Sequence, residues 1–132
     1  MNVLMLLTPK SEVKYIKDGD TLRQGLEKMK AHGYAAIPVI TKDGLYAGSV
    51  SEGDFLRAFT SRAAEADTTG EKTRIREIIR PDFLPAVMAD VEMDTLITGA
   101  EHQNYIPVTD DRGTFIGIVT RKRIIEYLRH RD

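Results

Sequence analysis

Residues 34–59, YAAIPVITKDGLYAGSVSEGDFLRAF, align without a gap on residues 103–128, QNYIPVTDDRGTFIGIVTRKRIIEYL. In that frame Ile37 matches Ile106, Pro38 Pro107, Val39 Val108, Gly44 Gly113, Gly48 Gly117 and Val50 Val119. Upstream, Val3-x-x-Leu6-Leu7-Thr8-Pro9 matches Ile75-x-x-Ile78-Ile79-Arg80-Pro81, at an offset three residues larger. Self-similarity of this kind marks a repeat architecture. The expected organisation is a first repeat over 1–62 with a short lead-in helix, a linker over 63–72 within the polar stretch SRAAEADTTGEK, and a second repeat over 73–132.

Strand and helix periodicities alternate within each copy. In the first, residues 13–16 read as a short strand and Asp18-Gly19-Asp20 as a turn. Thr21-x-x-Gln24 has the capping-box form, and Leu22, Leu26 and Met29 then follow at helical spacing until Gly33. Strands are expected over 36–40 and 45–50, joined by a tight hairpin at Asp43-Gly44, with a helix from 52 past 59 that carries Phe55, Leu56 and Phe59. In the second copy, residues 83–88, 90–100, 105–109, 115–119 and 121–129 fill the same slots, with Thr98 and Gly99 weakening the first helix. Pro38 and Pro107 are expected at edge positions or strand starts. The fold class is α/β, two β-α-β-β-α repeats. A unit of about 50 residues is too small to bury its own apolar face. The copies are therefore expected to pack about a pseudo-two-fold axis, with ligands in the polar clefts between them.

Composition narrows the function. The chain has 132 residues, 42% hydrophobic and 30% charged, the composition of a globular domain. Its 19 basic and 20 acidic residues leave a net charge of −1, so no global field holds a polyanion and any phosphate site must be local. Without cysteine there is no disulfide framework, thiolate metal site or thiol nucleophile. The run of residues 3–7 lacks the basic flank and cleavage pattern of a signal peptide, and no segment has the 18 or so apolar residues of a membrane span. A cytoplasmic protein is the expectation. His32, His102 and His130 occur singly, without metal-ligand spacing. With no Ser/His/Asp arrangement and no phosphate loop around Gly53 or Gly70, an enzyme is not expected and no metal or cofactor is required. Residues 121–131 carry six basic residues counting His130, but Glu126 interrupts them and aromatic residues are limited to Tyr127, a weak pattern for nucleic acid.

The segments joining each last strand to its helix hold the chemistry. Ser51-x-x-Asp54 reads as a helix cap, and the same hydroxyl and free N–H groups suit a phosphate while the carboxylate suits a ribose; the two readings are compatible. Thr120 is followed instead by Arg121, Lys122 and Arg123. Cations in a first helical turn oppose the macrodipole by about 0.3–1 kcal/mol each. Either a bound anion reverses that balance, or the side chains face solvent or an acidic partner. Tyr34, Ala35 and Ala36, and Asn104 and Tyr105, lead into the Ile-Pro-Val strands, where small residues admit a planar base and a tyrosine stacks on it or packs in the core.

The duplicated Pro-Val-x(4)-Gly-x(3)-Gly-x-Val-[Ser/Thr] pattern, Pro38 to Ser51 and Pro107 to Thr120, together with the lead-ins, resembles a tandem pair of CBS domains, a Bateman module, over essentially the whole chain. The resemblance implies a regulatory module that binds an adenosine ligand: AMP, ADP, ATP, S-adenosylmethionine or cyclic di-AMP. It implies one cleft formed by Val13, Lys14, Tyr15, Tyr34, Ala35 and Ala36 with Thr120, Arg121 and Arg123. It implies a second formed by Leu84, Pro85, Ala86, Asn104 and Tyr105 with Ser51 and Asp54. Arg123 stands where the family's ribose-binding Asp would be, and the strings around residues 33–39 and 117–122 are similar to stand-alone CBS pairs of Gram-positive bacteria that bind cyclic di-AMP. Homodimerisation into a four-copy disc and an unidentified effector protein are also what the family implies; the apolar residues Ile124, Ile125 and Leu128 either supply the dimer contact or belong to the internal core.

Overall fold

A computed structural model describes residues 2–33, 35–61, 65–80 and 82–130. The order of elements is β1 (Thr8–Pro9), β2 (Ile16–Lys17), α1 (Leu22–His32), β3 (Ala36–Ile40), β4 (Tyr46–Ser51), α2 (Glu52–Thr60), β5 (Val87–Met88), α3 (Met93–His102), β6 (Tyr105–Thr109), β7 (Phe115–Thr120) and α4 (Arg121–His130). Short 3-10 turns lie at Val3–Leu6, Lys10–Glu12 and Ile75–Glu77. The mixed α/β class and the two-copy plan are as the sequence leads one to expect.

Two compact units result, and packing does not follow chain order: one is Lys14–Phe83, the other Met1–Val13 with Leu84–Asp132. In the first, β2 runs parallel to β3 and β3 antiparallel to β4, giving the order β2-β3-β4. The core is Ile16, Leu22, Met29, Ile37, Val39, Val50, Phe55 and Ile75. In the second, the order is β1-β7-β6-β5. Its core is Val3, Leu6, Leu96, Ala100, Ile106, Val108, Val119 and Ile124. Four of these pairs, Ile37/Ile106, Val39/Val108, Val50/Val119 and Phe55/Ile124, hold the same repeat position. Ile75 and Val3, also matched by the repeat, are exchanged: each lead-in fills the core of the unit built on the other copy. The second sheet therefore gains a fourth strand, because Thr8 and Pro9 pair antiparallel with Ile118 and Gly117.

Local signals set α1. Thr21 Oγ1 accepts the Gln24 N–H at 3.1 Å and the Thr21 N–H donates to Gln24 Oε1 at 2.9 Å; Gly33 ends the helix in the left-handed region at φ 65°. The weaker sequence signals need correction. Of residues 13–16 only Ile16 lies in a strand, and of 83–88 only Val87 and Met88, since both strands end where their pairing partners do. Helix α3 begins at Met93 and runs unbroken through Thr98 and Gly99, where a Cβ would stand 3.2 Å from Ile106 Cδ1: the glycine permits close packing on β6. Pro38 and Pro107 lie in interior strands and pair with Ser49 and Ile118 on one side, yet each falls one residue before the short parallel neighbour on the other side begins, so that edge is unpaired there. Leu56 is 66% exposed while Phe55 is buried, and Ile125 is 56% exposed while Ile124 is buried. Ala63 and Ala64 of the expected linker, and Arg62 before it, lie outside the described residues. The rest of that segment is held to α1, where Gly70 O accepts the Arg23 N–H at 3.0 Å and the buried Asp67 accepts the N–H groups of residues 71–73.

The repeated glycines Gly48 and Gly117 have φ of 142° and 155°, values that L side chains rarely adopt, and each lets a lead-in approach. A Cβ on Gly48 would lie 2.5 Å from Ile79 Cγ2, whereas one on Gly117 would run into the Thr8 carbonyl oxygen. Ile79 can rotate; a strand backbone cannot. Both alanine substitutions should therefore destabilise, Gly117→Ala more, by at least about 2 kcal/mol in urea unfolding. Equal stability of Gly117→Ala and the parent would contradict the strand docking.

Candidate functional site

Each long strand passes into a helix at one hydroxyl residue, and the carbonyl of the entrance residue before the neighbouring strand faces that junction. In the Lys14–Phe83 unit, Ala36 pairs with Ser51 and the Glu52 N–H donates to Ala35 O at 3.1 Å. In the other unit, Tyr105 pairs with Thr120 and the Arg121 N–H donates to Asn104 O at 2.9 Å. Each entrance is thus brought beside the hydroxyl of its own copy. Lys14, Tyr15, Ala35, Ala36, Ser51 and Asp54 belong to one unit; Val13, Leu84, Pro85, Ala86, Asn104, Tyr105, Thr120, Arg121 and Arg123 belong to the other. Tyr34 lies outside the described residues.

The junctions differ in charge. At α2, Ser51 Oγ accepts the Asp54 N–H at 3.3 Å and the Ser51 N–H donates to Asp54 Oδ2 at 2.8 Å, the reciprocal cap. Asp54 is buried, 3% exposed, and two arginines close on it. Arg80 donates from Nε to Oδ1 at 2.8 Å and from Nη2 to Oδ2 at 3.3 Å, and Arg57 donates to Oδ1. The Arg80 guanidinium also lies 4.2 Å from the Phe83 ring centroid, a cation–π contact. Burial pushes the Asp54 carboxyl up, but the Ser51 N–H and the Arg80 and Arg57 guanidinium groups outweigh it and hold the group below the usual carboxylate range. Arg80 and Arg57 were not singled out from the sequence. The signal lay in the alignments, which set Asp54 opposite Arg123 and Arg80 opposite Thr8.

At α4, Thr120 Oγ1 accepts the Arg123 N–H at 3.2 Å and no acid follows it in the first turn. Arg121 Nε donates to Ala100 O at 2.8 Å, holding a carbonyl in the last turn of α3, where the helix dipole favours a cation. Arg123 Nη2 donates to Met5 O at 3.2 Å, and Lys122 is exposed. The remaining guanidinium donors of Arg121 and Arg123 leave capacity for an anion. Leu84 is buried and has φ 53°, the described non-glycine residue with positive φ, directly before Pro85 and Ala86. Among the described residues no group of three or more His, Cys, Asp or Glu side chains could hold a metal ion, and no helix is long and apolar enough to cross a membrane.

The duplicated strand-glycine-strand-hydroxyl-helix unit defines a class of paired domains. The model of the CBS domain matches residues 6–61 and again 75–130, and the chain belongs to that family. No curated protein matches. Among solved structures, a CbpB in complex with c-di-AMP superimposes with a TM-score of 0.88 at 23% identity, covering 98% of this chain and 85% of that one. The Listeria monocytogenes CbpB protein, also in complex with c-di-AMP, gives 0.85 at 20% identity over 96% and 94% of the two chains. CBSX2 in complex with AMP gives 0.78 at 19% identity over 97% and 96%.

The depressed Asp54 carboxyl contributes stability that is present above the unfolded-state value of about 3.9 and lost as pH falls through the lower folded value. Asp54→Asn should therefore lower stability by about 3 kcal/mol at pH 7, and the gap from wild type should begin to narrow near pH 4 and close only below the lower folded value. Asp67 and Asp110, also held low by backbone N–H groups, acidify alike in both proteins. Urea midpoints from pH 2.5 to 8 measure the gap; a constant gap would show that the charge of Asp54 does not matter.

Proposed function

We propose that the chain is a regulatory module that binds an adenine nucleotide, with cyclic di-AMP the ligand its chemistry fits best, and that signals to an effector protein through a ligand-dependent conformation. The observation that carries this reading is the α4 junction: a helix N-terminus with a hydroxyl cap, two arginines with donors to spare and no carboxylate in the first turn. Such a junction attracts phosphate and offers a ribose diol no carboxylate in that turn. Val13, Lys14, Tyr15, Ala35, Ala36, Leu84, Pro85, Ala86, Asn104 and Tyr105 are the further proposed contacts. The co-crystallised ligands of the CbpB and CBSX2 structures support the ligand class.

A ligand of equal affinity for two conformations shifts nothing, so the signal requires preference for one of them. No turnover of nucleotide is part of this reading, nor any metal or cofactor, and the module is placed in the cytoplasm, where adenine nucleotides are abundant. A homodimer is the proposed assembly, with the exposed Ile125 and Leu56 available to it. A second reading, a sensor of AMP, ADP, ATP or S-adenosylmethionine, is favoured by Asp54, an acid suited to a free ribose.

Cyclic di-AMP at 100 times its Kd should raise native stability by about 2.7 kcal/mol and the melting temperature with it. Arg123→Ala should weaken binding about tenfold, while random-sequence DNA should produce no shift. Unchanged melting with every adenine nucleotide, or a salt-sensitive shift with DNA alone, would overturn the proposal.

A further inference from the structure

Asp54 has more partners than a helix cap requires. A carboxylate offers about four lone-pair positions. Here Oδ1 receives Arg80 Nε and Arg57, and Oδ2 receives the Ser51 N–H, the Ser51 hydroxyl and Arg80 Nη2. Arg80 alone reaches both oxygens. A vicinal diol would also need one acceptor position on each oxygen, so Arg80 occupies the pair of positions that such a diol requires. The acid is fixed by its cap and its side chain is 2% exposed, whereas the Arg80 side chain is 49% exposed; the arginine is the partner able to leave.

The other unit offers an internal comparison. Where the helix carries Arg123 in place of Asp54, the lead-in carries Thr8 in place of Arg80, and Arg123 turns to the Met5 carbonyl of that lead-in. Acid is matched with arginine, and arginine with a neutral residue. Both junctions thus carry guanidinium groups, and neither has a carboxylate clear of them.

We propose that Arg80 is a specificity-determining residue: it competes with a ribose diol for Asp54, and so disfavours mononucleotides with a free 2′,3′-diol relative to adenine ligands whose 3′-oxygen already lies in a phosphodiester. This rests on the nucleotide-binding reading above. Removing Arg80 takes one donor from each carboxylate oxygen: Oδ1 then keeps Arg57 alone, and on Oδ2 the Ser51 hydroxyl, which can rotate away, is the one donor that a diol must displace.

Calorimetry at pH 7.5 with AMP, 3′-deoxy-AMP and cyclic di-AMP tests this on wild type, Arg80→Gln, Arg80→Lys and the double variant Arg80→Gln with Asp54→Asn. Wild type should bind AMP and 3′-deoxy-AMP within about twofold of each other, and Arg80→Gln should favour AMP by about tenfold. The double variant should return the ratio to near unity. Arg80→Lys keeps a cation beside the buried acid but not the two-oxygen fork, so it should fold even if the glutamine variant does not, and should fall between. An unchanged ratio in Arg80→Gln, or in Arg80→Lys should the former not fold, overturns the competition alone, as does a tenfold preference for AMP already present in wild type. Failure of wild type to bind any of the three overturns the underlying reading together with it.

Discussion

A strand must become a helix within one residue at Ser51 and again at Thr120, and the rest of each unit is arranged around that step. The hydroxyl satisfies an N–H of the first helical turn that has no intrahelical partner, and the next residue's N–H goes to the carbonyl of the neighbouring strand's entrance. The two bonds fix the direction in which α2 and α4 leave their sheets. They leave the N–H between them, that of the second helical residue, as a donor of the kind that lets a helix N-terminus attract an anion. Fold and candidate site are thus products of the same few bonds.

The exchange of lead-ins has a physical basis in the glycines. Gly117 leaves room for the backbone of Thr8 to pair with β7, and Gly48 leaves room for Ile79. With Val3 and Ile75 each completing a core built on the other copy, the two repeats depend on one another for burial, and residues near the start of one repeat can influence chemistry at the helix of the other. Arg80 and Asp54 are such a pair. Breaking a buried charge pair by removing one partner costs more than the pair contributes, so the acid and its arginines are expected to change together.

Much of this was legible in the sequence because its signals are local. The capping box at Thr21 and the left-handed Gly33 bound α1 at both ends, and the ungapped repeat carries the core positions of one copy onto the other. What was not legible depends on partners distant in the chain. Thr8 and Pro9 are a strand only because β7 lies beside them, and Ile16–Lys17 and Val87–Met88 are strands only where they run beside the last two residues of β3 and β6. Helix α3 starts without a side-chain cap at Glu92, so no local mark set its beginning. Of the candidate site, the Ser51 and Thr120 helix caps were legible from their strand-to-helix context. Arg80 was not, because a polar residue after an apolar lead-in carries no signal until its matched position, Thr8, is set against the exchange of Asp54 for Arg123.

The central claim is that the strand-to-helix junctions are where the ligand acts. Amide shifts of the isotope-labelled protein during titration with cyclic di-AMP test it most directly. The largest changes are predicted at residues 120–123 and at the entrance residues 104 and 105, with smaller ones at 51–54. Saturable changes confined to other segments, with these amides unmoved, would contradict the account.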